Sequence, residues 1–477
     1  MTSFDVQAAR RSVDAAWDAL LPTLCEYVAI PARSPAFDPA WEDNGHIDRA
    51  VALLESWVRA NAPAGSQVEV LRLDGRTPLL LVDVPAHGVP GGNHAQPTVL
   101  IYGHCDKQPE MTGWRDGLDP WTPVQDGDRL YGRGAADDGY STFAALAALR
   151  AVRDAGGRHG RCLVVIEASE ETGSPDLPAY VDALGDRVRD VQLVVGLDAG
   201  CSTYDRLWIT TSLRGLVGLA VKVEVLTEGI HSGASGVVPS SFRILRELLA
   251  RVEDPSTGRM LLPELHVDIP GERKEQAETA AALLGDDLWT SVPFACDTQP
   301  MTASPTDAIL AKTWRPALSL TGADGLPSVR DAGNVLRPST TLKLSVRLPP
   351  TCDPAAAEAA LVRALTTDVP YGAHVTVEAE PHAAGWDAPP TAPWLADAIE
   401  RASKSVYGQP PAALGEGGTI PFMGMLGERL PAAQFLIVGV LGPGSNAHGP
   451  NEFLHVPMAR SLTACVASVL NDHASLA

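Results

Sequence analysis

The segment Thr98-Val-Leu-Ile-Tyr-Gly-His-Cys-Asp106 decides the fold, because a short apolar run leads directly into a histidine and an aspartate. Its first five residues are typical of a strand that is buried on both faces. Two later runs follow the same plan: residues 162–166 lead to Glu170-Glu171, and residues 191–195 lead to Asp198. Because the carboxyl ends of parallel strands meet at one edge of a sheet, these polar residues are predicted to converge there.

A helical pattern separates the first two of these strands. Apolar residues recur at helical spacing over residues 140–153, and Asp137 or Asp138 is placed to cap the amino end of the helix. The succession of strand, helix and strand predicts an α/β fold with a mostly parallel central sheet flanked by helices.

The pattern changes at about residue 213, where a smaller α+β domain is predicted to be inserted into the chain. Residues 216–226 and 340–348 alternate like half-exposed strands, and residues 240–252 have helical periodicity. Residues 271–326 give no clear pattern. The predicted domains are residues 1–211 for the first part of the main domain, 212–385 for the inserted domain and 386–477 for the second part of the main domain.

The composition argues against several classes of protein. With 37 Lys+Arg against 58 Asp+Glu in 477 residues, the formal net charge is −21, which repels nucleic acid and anionic membrane surfaces. No apolar run is long enough to span a membrane, and the N-terminus lacks the apolar core of a secretory signal. Seven scattered cysteines without a C-x-x-C pair indicate reduced thiols. We therefore expect a cytoplasmic protein that binds neither nucleic acid nor membranes.

The polar residues at the predicted sheet edge have the composition of a metal site. They are His104, Asp106, Glu170, Glu171 and Asp198, which Asp137 and, after a fourth apolar run, His448 can join. So many carboxylates would repel one another unless a cation neutralised them. Imidazole and carboxylate without thiolate suit Zn²⁺, Mn²⁺ or Co²⁺. Two ions bridged by one carboxylate would use this many ligands and could activate a shared water.

The two adjacent glutamates are predicted to differ in role. Glu170 and Glu171 cannot both point the same way on an extended segment, so one can bind metal while the other stays free as a base. By the same alternation, Cys105 is expected to face away from His104 and Asp106, into the core.

The successive motifs resemble those of the M20 metallopeptidase family. They are Gly103-His104-x-Asp106, Gly132-Arg-Gly-x-x-Asp137-Asp138, Glu170-Glu171-x-Gly-Ser174, Asp198, His231-Ser-Gly233 and the late His448. Within that family the sequence is most similar to the carnosinase-like cytosolic dipeptidases. The features that favour this subgroup are Gln108-Pro109, Leu213-Arg-Gly215, Ser345-Val-Arg347-Leu-x-Pro and Glu416-Gly-Gly-Thr419-Ile-Pro421.

The resemblance implies a role for each residue of the predicted site. It implies two divalent ions, zinc above all, with Asp137 bridging them, His104 and Asp198 completing one site, and Glu171 and His448 completing the other. Glu170 is implied as the general base, and Asp106 as the carboxylate that orients His104. The family also implies a cis peptide between Asp137 and Asp138.

For the inserted domain, the resemblance implies a lid that also forms a homodimer. His231 would act in the active site of the partner chain, and Arg347 would hold the substrate carboxylate. Thr419 and Asn334 would line the same pocket. The sequence departs from the dipeptidases at three positions: Lys107 replaces a small apolar residue, Thr419 stands where they often have Ser, and Asn334 replaces a Thr.

These inferences predict a dinuclear metal-dependent hydrolase. It would cleave the amide bond of dipeptides or small peptide-like substrates by a metal-activated water with a glutamate base. One alternative keeps the metal site but cleaves N-acyl, N-succinyl or N-carbamoyl amino acids. A remote alternative is a catalytically silent binding protein on the same fold.

Overall fold

The computed structural model describes residues 4–89 and 97–476. These residues form two compact units: the first lies within Met1–Thr211, Ala388–Leu414 and Met425–Ala477, and the second within Ser212–Asp387 and Gly415–Gly424. The helices of the described residues are α1 (Val6–Val28), α2 (Trp41–Asn44), α3 (His46–Asn61), α4 (Ser141–Asp154), α5 (Leu177–Leu184), α6 (Asp186–Arg189), α7 (Ser241–Leu249), α8 (Gly271–Leu284), α9 (Asp287–Thr290), α10 (Pro305–Thr313), α11 (Pro354–Thr366), α12 (Pro393–Tyr407), α13 (Pro421–Arg429) and α14 (Val456–His473).

The strands of the described residues are β1 (Gln67–Leu71), β2 (Leu79–Val84), β3 (Thr98–His104), β4 (Val124–Asp126), β5 (Arg129–Tyr131), β6 (Arg161–Glu167), β7 (Val191–Gly196), β8 (Trp208–Leu213), β9 (Gly215–Glu224), β10 (Ile230–His231), β11 (Ala317–Asp324), β12 (Val335–Leu336), β13 (Ser339–Leu348), β14 (His374–Ala379), β15 (Trp386–Asp387), β16 (Ala412–Glu416), β17 (Gln434–Ile437) and β18 (Phe453–His455).

The first unit is built on a six-stranded sheet with the order β1-β2-β6-β3-β7-β17. The strands β6, β3, β7 and β17 run parallel, and the hairpin β1-β2 continues the sheet in antiparallel fashion. All seven residues of β3 are buried, as the apolar run predicted. Helices α3 and α4 pack against strands of this sheet. The prediction of an α/β fold with a mostly parallel central sheet and flanking helices is confirmed.

The helix between β3 and β6 begins within one residue of its predicted start, but its N-cap residue differs from the prediction. Helix α4 starts at Ser141 with Tyr140 as its N-cap residue, so the prediction that Asp137 or Asp138 caps it is wrong. The physical reason is that the Asp138 carboxylate turns toward β3, where its Oδ2 accepts a hydrogen bond of 3.2 Å from the His104 main-chain N–H. A Cβ at Gly103 would collide with the Asp138 and Ser141 side chains, which explains the glycine before His104.

The second unit contains an antiparallel sheet with the order β11-β13-β9-β14. Along β13, buried residues alternate with more exposed ones, as the sequence predicted for a strand with one covered face. Helices α7 and α11 cover that face, and their apolar side chains join those of β9 and β13 in one core. The edge strand β11 is exposed over its last six residues.

Among the described residues, we find no helix with the length and apolar character needed to cross a membrane.

We predict that His473 makes the first unit sensitive to acid. Its imidazole is fully buried at the end of α14, and neither ring nitrogen has a hydrogen-bond partner among the described residues. Burial lowers the pKa of His473 from 6.5 to about 4. Between these pH values the unfolded chain binds a proton that the folded chain does not, so stability falls as the pH decreases, by about 2 kcal/mol at pH 5.

The variant His473→Leu removes this contribution. Calorimetric unfolding of wild type and variant at pH 7.5 and pH 5 should show the variant gaining stability relative to wild type at the lower pH. The control His374→Leu makes the same substitution at an exposed imidazole of the second unit and separates the effect of burial from that of the substitution itself. An equal difference between wild type and His473→Leu at both pH values would contradict the prediction.

Candidate metal centre

Three neighbouring strands of the first unit end in acidic or imidazole side chains. His104 is the last residue of β3, Glu170 and Glu171 begin a 3-10 turn shortly after β6, and Asp198 lies two residues beyond β7. Because these strands are parallel neighbours in the sheet, their carboxyl ends lie at one edge. The structure therefore brings these residues together as the sequence predicted.

Two loops complete the cluster. Asp137 lies in the loop before α4, and its peptide bond to Asp138 is cis. His448 lies in the loop between β17 and β18 with a φ of 64°, in the left-handed region that few residues other than glycine adopt. Residues held in this conformation depend on support from their surroundings and are frequent at functional sites.

The side chains form two trios that share Asp137. Asp137 Oδ1 lies 3.3 Å from His104 Nε2, and Asp198 Oδ2 lies 3.7 Å from the same nitrogen. On the other side, His448 Nε2 lies 3.1 Å from Asp137 Oδ2 and 3.2 Å from Glu171 Oε2. In each trio, the candidate ligand atoms lie within 4.8 Å of one another.

The electrostatics of the cluster are those of crowded carboxylates. Burial raises the pKa of Glu170, and the nearby charge of Asp198 raises it further. Burial and the charge of Asp137 raise the pKa of Glu171. Burial would also raise the pKa of Asp137, but hydrogen bonds from His104 and His448 outweigh it and hold that pKa well below its usual range.

The imidazoles show the complementary effect. Although burial opposes protonation, hydrogen bonds to Asp137 and Glu171 raise the pKa of His448 to about 11. The neighbouring carboxylates therefore favour a positive charge beside them, which balances their own charge. A bound cation supplies the same balance.

The donor atoms fit a divalent cation in each trio. Glu171 Oε1 is buried and has no hydrogen-bond partner among the described residues, so one oxygen is left for a ligand that is not a protein group. Both trios combine one imidazole with two carboxylates and contain no thiolate. This donor set suits zinc and other divalent transition metals.

Asp106 connects two segments of this cluster through hydrogen bonds. Its carboxylate accepts hydrogen bonds from the main-chain N–H groups of Glu170 and Glu171, at 3.1 Å and 3.0 Å. Its Oδ1 also lies 3.4 Å from His104 Nδ1, while its main-chain oxygen lies 3.1 Å from the same nitrogen. Asp106 thus contacts both the imidazole at the end of β3 and the turn after β6.

The remaining predicted site residues lie in the second unit, in two pairs. Arg347 on β13 donates a hydrogen bond of 2.8 Å from Nη1 to Thr419 Oγ1, and burial lowers the pKa of Arg347. His231 is exposed, and its Nδ1 accepts a hydrogen bond from the main-chain N–H of Gly233. Asn334 is also exposed. It lies next to His231, because β10 pairs with β12 and the Asn334 main-chain oxygen accepts a hydrogen bond from the Ser232 N–H.

Lys107, a departure noted in the sequence, is fully buried. Its ammonium group donates to three main-chain oxygens near the end of α1: Tyr27 at 2.9 Å, Val28 at 3.1 Å and Ile30 at 2.9 Å. Burial lowers the pKa of Lys107 to about 7. This lysine therefore secures the end of a helix.

Sequence reasoning assigned no role to three side chains that contact the ligand segments. Gln108 donates a hydrogen bond of 2.6 Å to Glu171 Oε2. Arg133 and Glu452 form a buried ion pair beside the loops of Asp137 and His448. The only sequence signal for these residues was their position inside or just after the motifs. Arginine and glutamate are usually exposed, so nothing in the sequence indicated that they would be buried.

The chain is similar to proteins that are named dipeptidases. A cysteinylglycine-S-conjugate dipeptidase of Corynebacterium striatum is 29% identical over 379 residues, which cover 76% of this chain and 80% of the relative. The Beta-Ala-His dipeptidase of Homo sapiens is 26% identical over 481 residues, covering 92% of this chain and 87% of the relative. The crystal structure of human carnosine dipeptidase 1 superposes with a TM-score of 0.79 at 23% identity, covering 98% and 99% of the two chains.

The model of a metallopeptidase family also matches most of the chain. The match extends over residues 100–472 and so includes every member of both trios. Together with the two trios at the sheet edge, it shows that the chain belongs to Peptidase family M20/M25/M40.

Proposed function

We propose that the chain is a dinuclear metal-dependent hydrolase that cleaves the amide bond of dipeptides or small peptide-like substrates. The observation that carries the proposal is the position of Asp137, which offers one carboxylate oxygen to each of two imidazoles. The relatives named as dipeptidases support the substrate class.

The two trios would hold the two ions. His104, Asp137 and Asp198 would bind one, and Asp137, Glu171 and His448 would bind the other. Zinc suits this donor set, and Mn²⁺ or Co²⁺ could replace it. Divalent ions at such sites act as Lewis acids and lower the pKa of a coordinated water to about 7.

Glu170 would carry the proton during the reaction. It belongs to neither trio, yet its Oε2 lies 4.0 Å from His104 Nε2, so its carboxylate is at the site and not committed as a ligand. The hydrogen bond from its main-chain N–H to Asp106 fixes its position. In this role the carboxylate takes the proton of the attacking water and delivers it to the nitrogen of the leaving amine.

Arg347 and Thr419 would bind the carboxylate of the substrate. The guanidinium of Arg347 is partly buried and already oriented by its hydrogen bond to Thr419. A planar guanidinium suits bidentate recognition of a carboxylate. That Asn334 lines the same pocket stays a prediction, because its main-chain oxygen accepts from the Ser232 N–H beside His231. The absence of disulfides among the seven cysteines supports the further proposal of a reducing, cytoplasmic location.

We predict that Glu170→Gln abolishes turnover while both ions remain bound. Loss of a general base typically lowers the rate 10²- to 10⁴-fold, and the amide that replaces the carboxylate keeps the shape of the side chain. Dipeptide hydrolysis and metal content should be measured on the same samples. A variant that loses metal would indicate that Glu170 and Glu171 have the opposite roles.

The substrate class is tested with a panel of free dipeptides and N-acylated amino acids. The enzyme is freed of metal with a chelator and reconstituted with Zn²⁺ or Mn²⁺, with Glu170→Gln as control. Metal-dependent cleavage of free dipeptides is the expected result. Cleavage of the N-acylated compounds alone would reject the dipeptidase proposal in favour of a deacylase.

We predict that the shared carboxylate affects both ions. In a calorimetric titration of the chelator-treated protein with Zn²⁺, wild type should bind two equivalents. Asp137→Asn should weaken both binding events, whereas Asp198→Asn, the matched change at a ligand of one trio, should weaken only one. A single equivalent bound to wild type would contradict the dinuclear proposal.

We also propose a homodimer in which His231 acts at the partner's site. Two features of the second unit support it: His231 is exposed, and β11 is an exposed edge strand on which Leu320 is 53% exposed. Exposed sheet edges are common sites of pairing between chains.

Complementation tests this proposal. His231→Ala and Glu170→Gln should each be inactive alone, but in a mixed dimer one site combines an intact Glu170 with an intact His231. After unfolding and refolding together, an equal mixture should recover about one quarter of wild-type activity, because half the dimers are mixed and each has one complete site. Mixed dimers without activity would show that His231 does not act across the interface.

A further inference from the structure

We propose that Arg133 and Glu452 form a positioning pair, which fixes the metal-binding loops of the first unit relative to one another. The inference rests on the proposed function, because it concerns the same two ions. Neither residue belongs to a trio. Their side chains are 1% and 0% exposed, and Arg133 Nη1 lies 2.7 Å from Glu452 Oε2.

The carboxylate of Glu452 fixes the loop that carries Asp137. It accepts hydrogen bonds from three main-chain N–H groups of that loop: Gly134 at 3.0 Å, Ala136 at 3.2 Å and Asp137 itself at 3.3 Å. Main-chain N–H groups that converge on one carboxylate restrict the backbone of the loop that carries them. The main chain of Asp137 is thus tied to the buried carboxylate of Glu452 while its own carboxylate faces the two imidazoles.

The guanidinium of Arg133 joins the same loop to two other ligand segments. Its Nε donates to the main-chain oxygen of Pro109, on the segment that follows His104, at 3.1 Å. Its Nη2 donates to the main-chain oxygen of Gly449, directly after His448, at 2.7 Å. One planar side chain therefore connects the segments of His104, Asp137 and His448, and these include ligands of both trios.

Stability alone is a poor explanation for this pair. Burying two charges carries a desolvation penalty, and apolar side chains of similar volume often serve a core equally well. The loop around His448 supplies a reason for the charges. Asn446, His448 and Asn451 all have positive φ values, of 53°, 64° and 63°. Such a backbone persists only when other groups hold it, and the bond from Arg133 to Gly449 lies in its middle.

The pair should therefore set the affinity for metal. Residues that orient metal ligands through hydrogen bonds typically change metal affinity 10- to 100-fold when they are altered. We expect Glu452→Gln, which keeps the shape but removes the charge, to weaken Zn²⁺ binding by that factor at both sites. Arg133→Lys keeps the charge but lacks the planar fork, so it should also weaken binding.

The test is a calorimetric titration of the chelator-treated full chain with Zn²⁺, for wild type and both variants. The matched control is Asp83→Asn, which breaks the ion pair of Asp83 with Arg161, 2.6 Å long, at the opposite end of β6. The control should lower thermal stability without changing Zn²⁺ affinity. Visible absorption of bound Co²⁺, which reports ligand geometry, should change in Glu452→Gln and Arg133→Lys but not in Asp83→Asn.

The possible results separate this inference from the proposed function. Folded variants with Zn²⁺ affinity and Co²⁺ spectra like those of wild type would overturn the positioning role. An equal loss of affinity in Asp83→Asn would overturn it as well, because the effect would then reflect general destabilisation. Wild type that binds no Zn²⁺ would instead overturn the proposed function.

A second variant covers the case in which a single change prevents folding. The double variant Arg133→Met/Glu452→Met removes both charges and leaves no buried ion without its partner. If it folds and binds Zn²⁺ as wild type does, the pair has no positioning role. Native-like folding with 10-fold or greater loss of affinity would support the inference.

Discussion

Repulsion among carboxylates at the carboxyl ends of β3, β6 and β7 is the constraint on which the site depends. Burial and neighbouring charges raise the pKa of both Glu170 and Glu171. The protein opposes this repulsion with imidazoles placed on either side of Asp137 and with main-chain N–H groups aimed at Asp106 and Glu452. A pair of divalent cations would balance the negative charge that these groups leave uncompensated. The fold causes this crowding of carboxylates, because the carboxyl ends of parallel strands lie at one edge of the sheet.

Much of this arrangement could be predicted from the sequence. Buried parallel strands are short apolar runs, so β3 and β7 stand out and their ends can be located within a residue or two. Once the strand ends are known, the meeting of His104 with Asp198 follows from topology alone. The alternating pattern of β13 likewise follows from a sheet with one covered face.

Other features were predicted wrongly or could not be predicted from the sequence. The segment of residues 271–326 contains α8 and the exposed strand β11, where small alanines and exposed residues give neither a helical nor an alternating pattern. The sequence indicated Asp137 or Asp138 as a helix cap because aspartate often has that role, but in the structure Asp138 binds the main chain of His104. The contact of Arg133 with Glu452 joins residues far apart in the chain, so no local pattern could indicate it.

Anomalous X-ray diffraction from crystals grown with Zn²⁺, collected on both sides of the zinc absorption edge, tests the central claim most directly. The account predicts two peaks per chain, both within coordination distance of Asp137. One peak should also contact His104 and Asp198, and the other Glu171 and His448. A single peak, or two peaks with no common ligand at Asp137, would contradict the claim that one shared carboxylate organises a dinuclear centre.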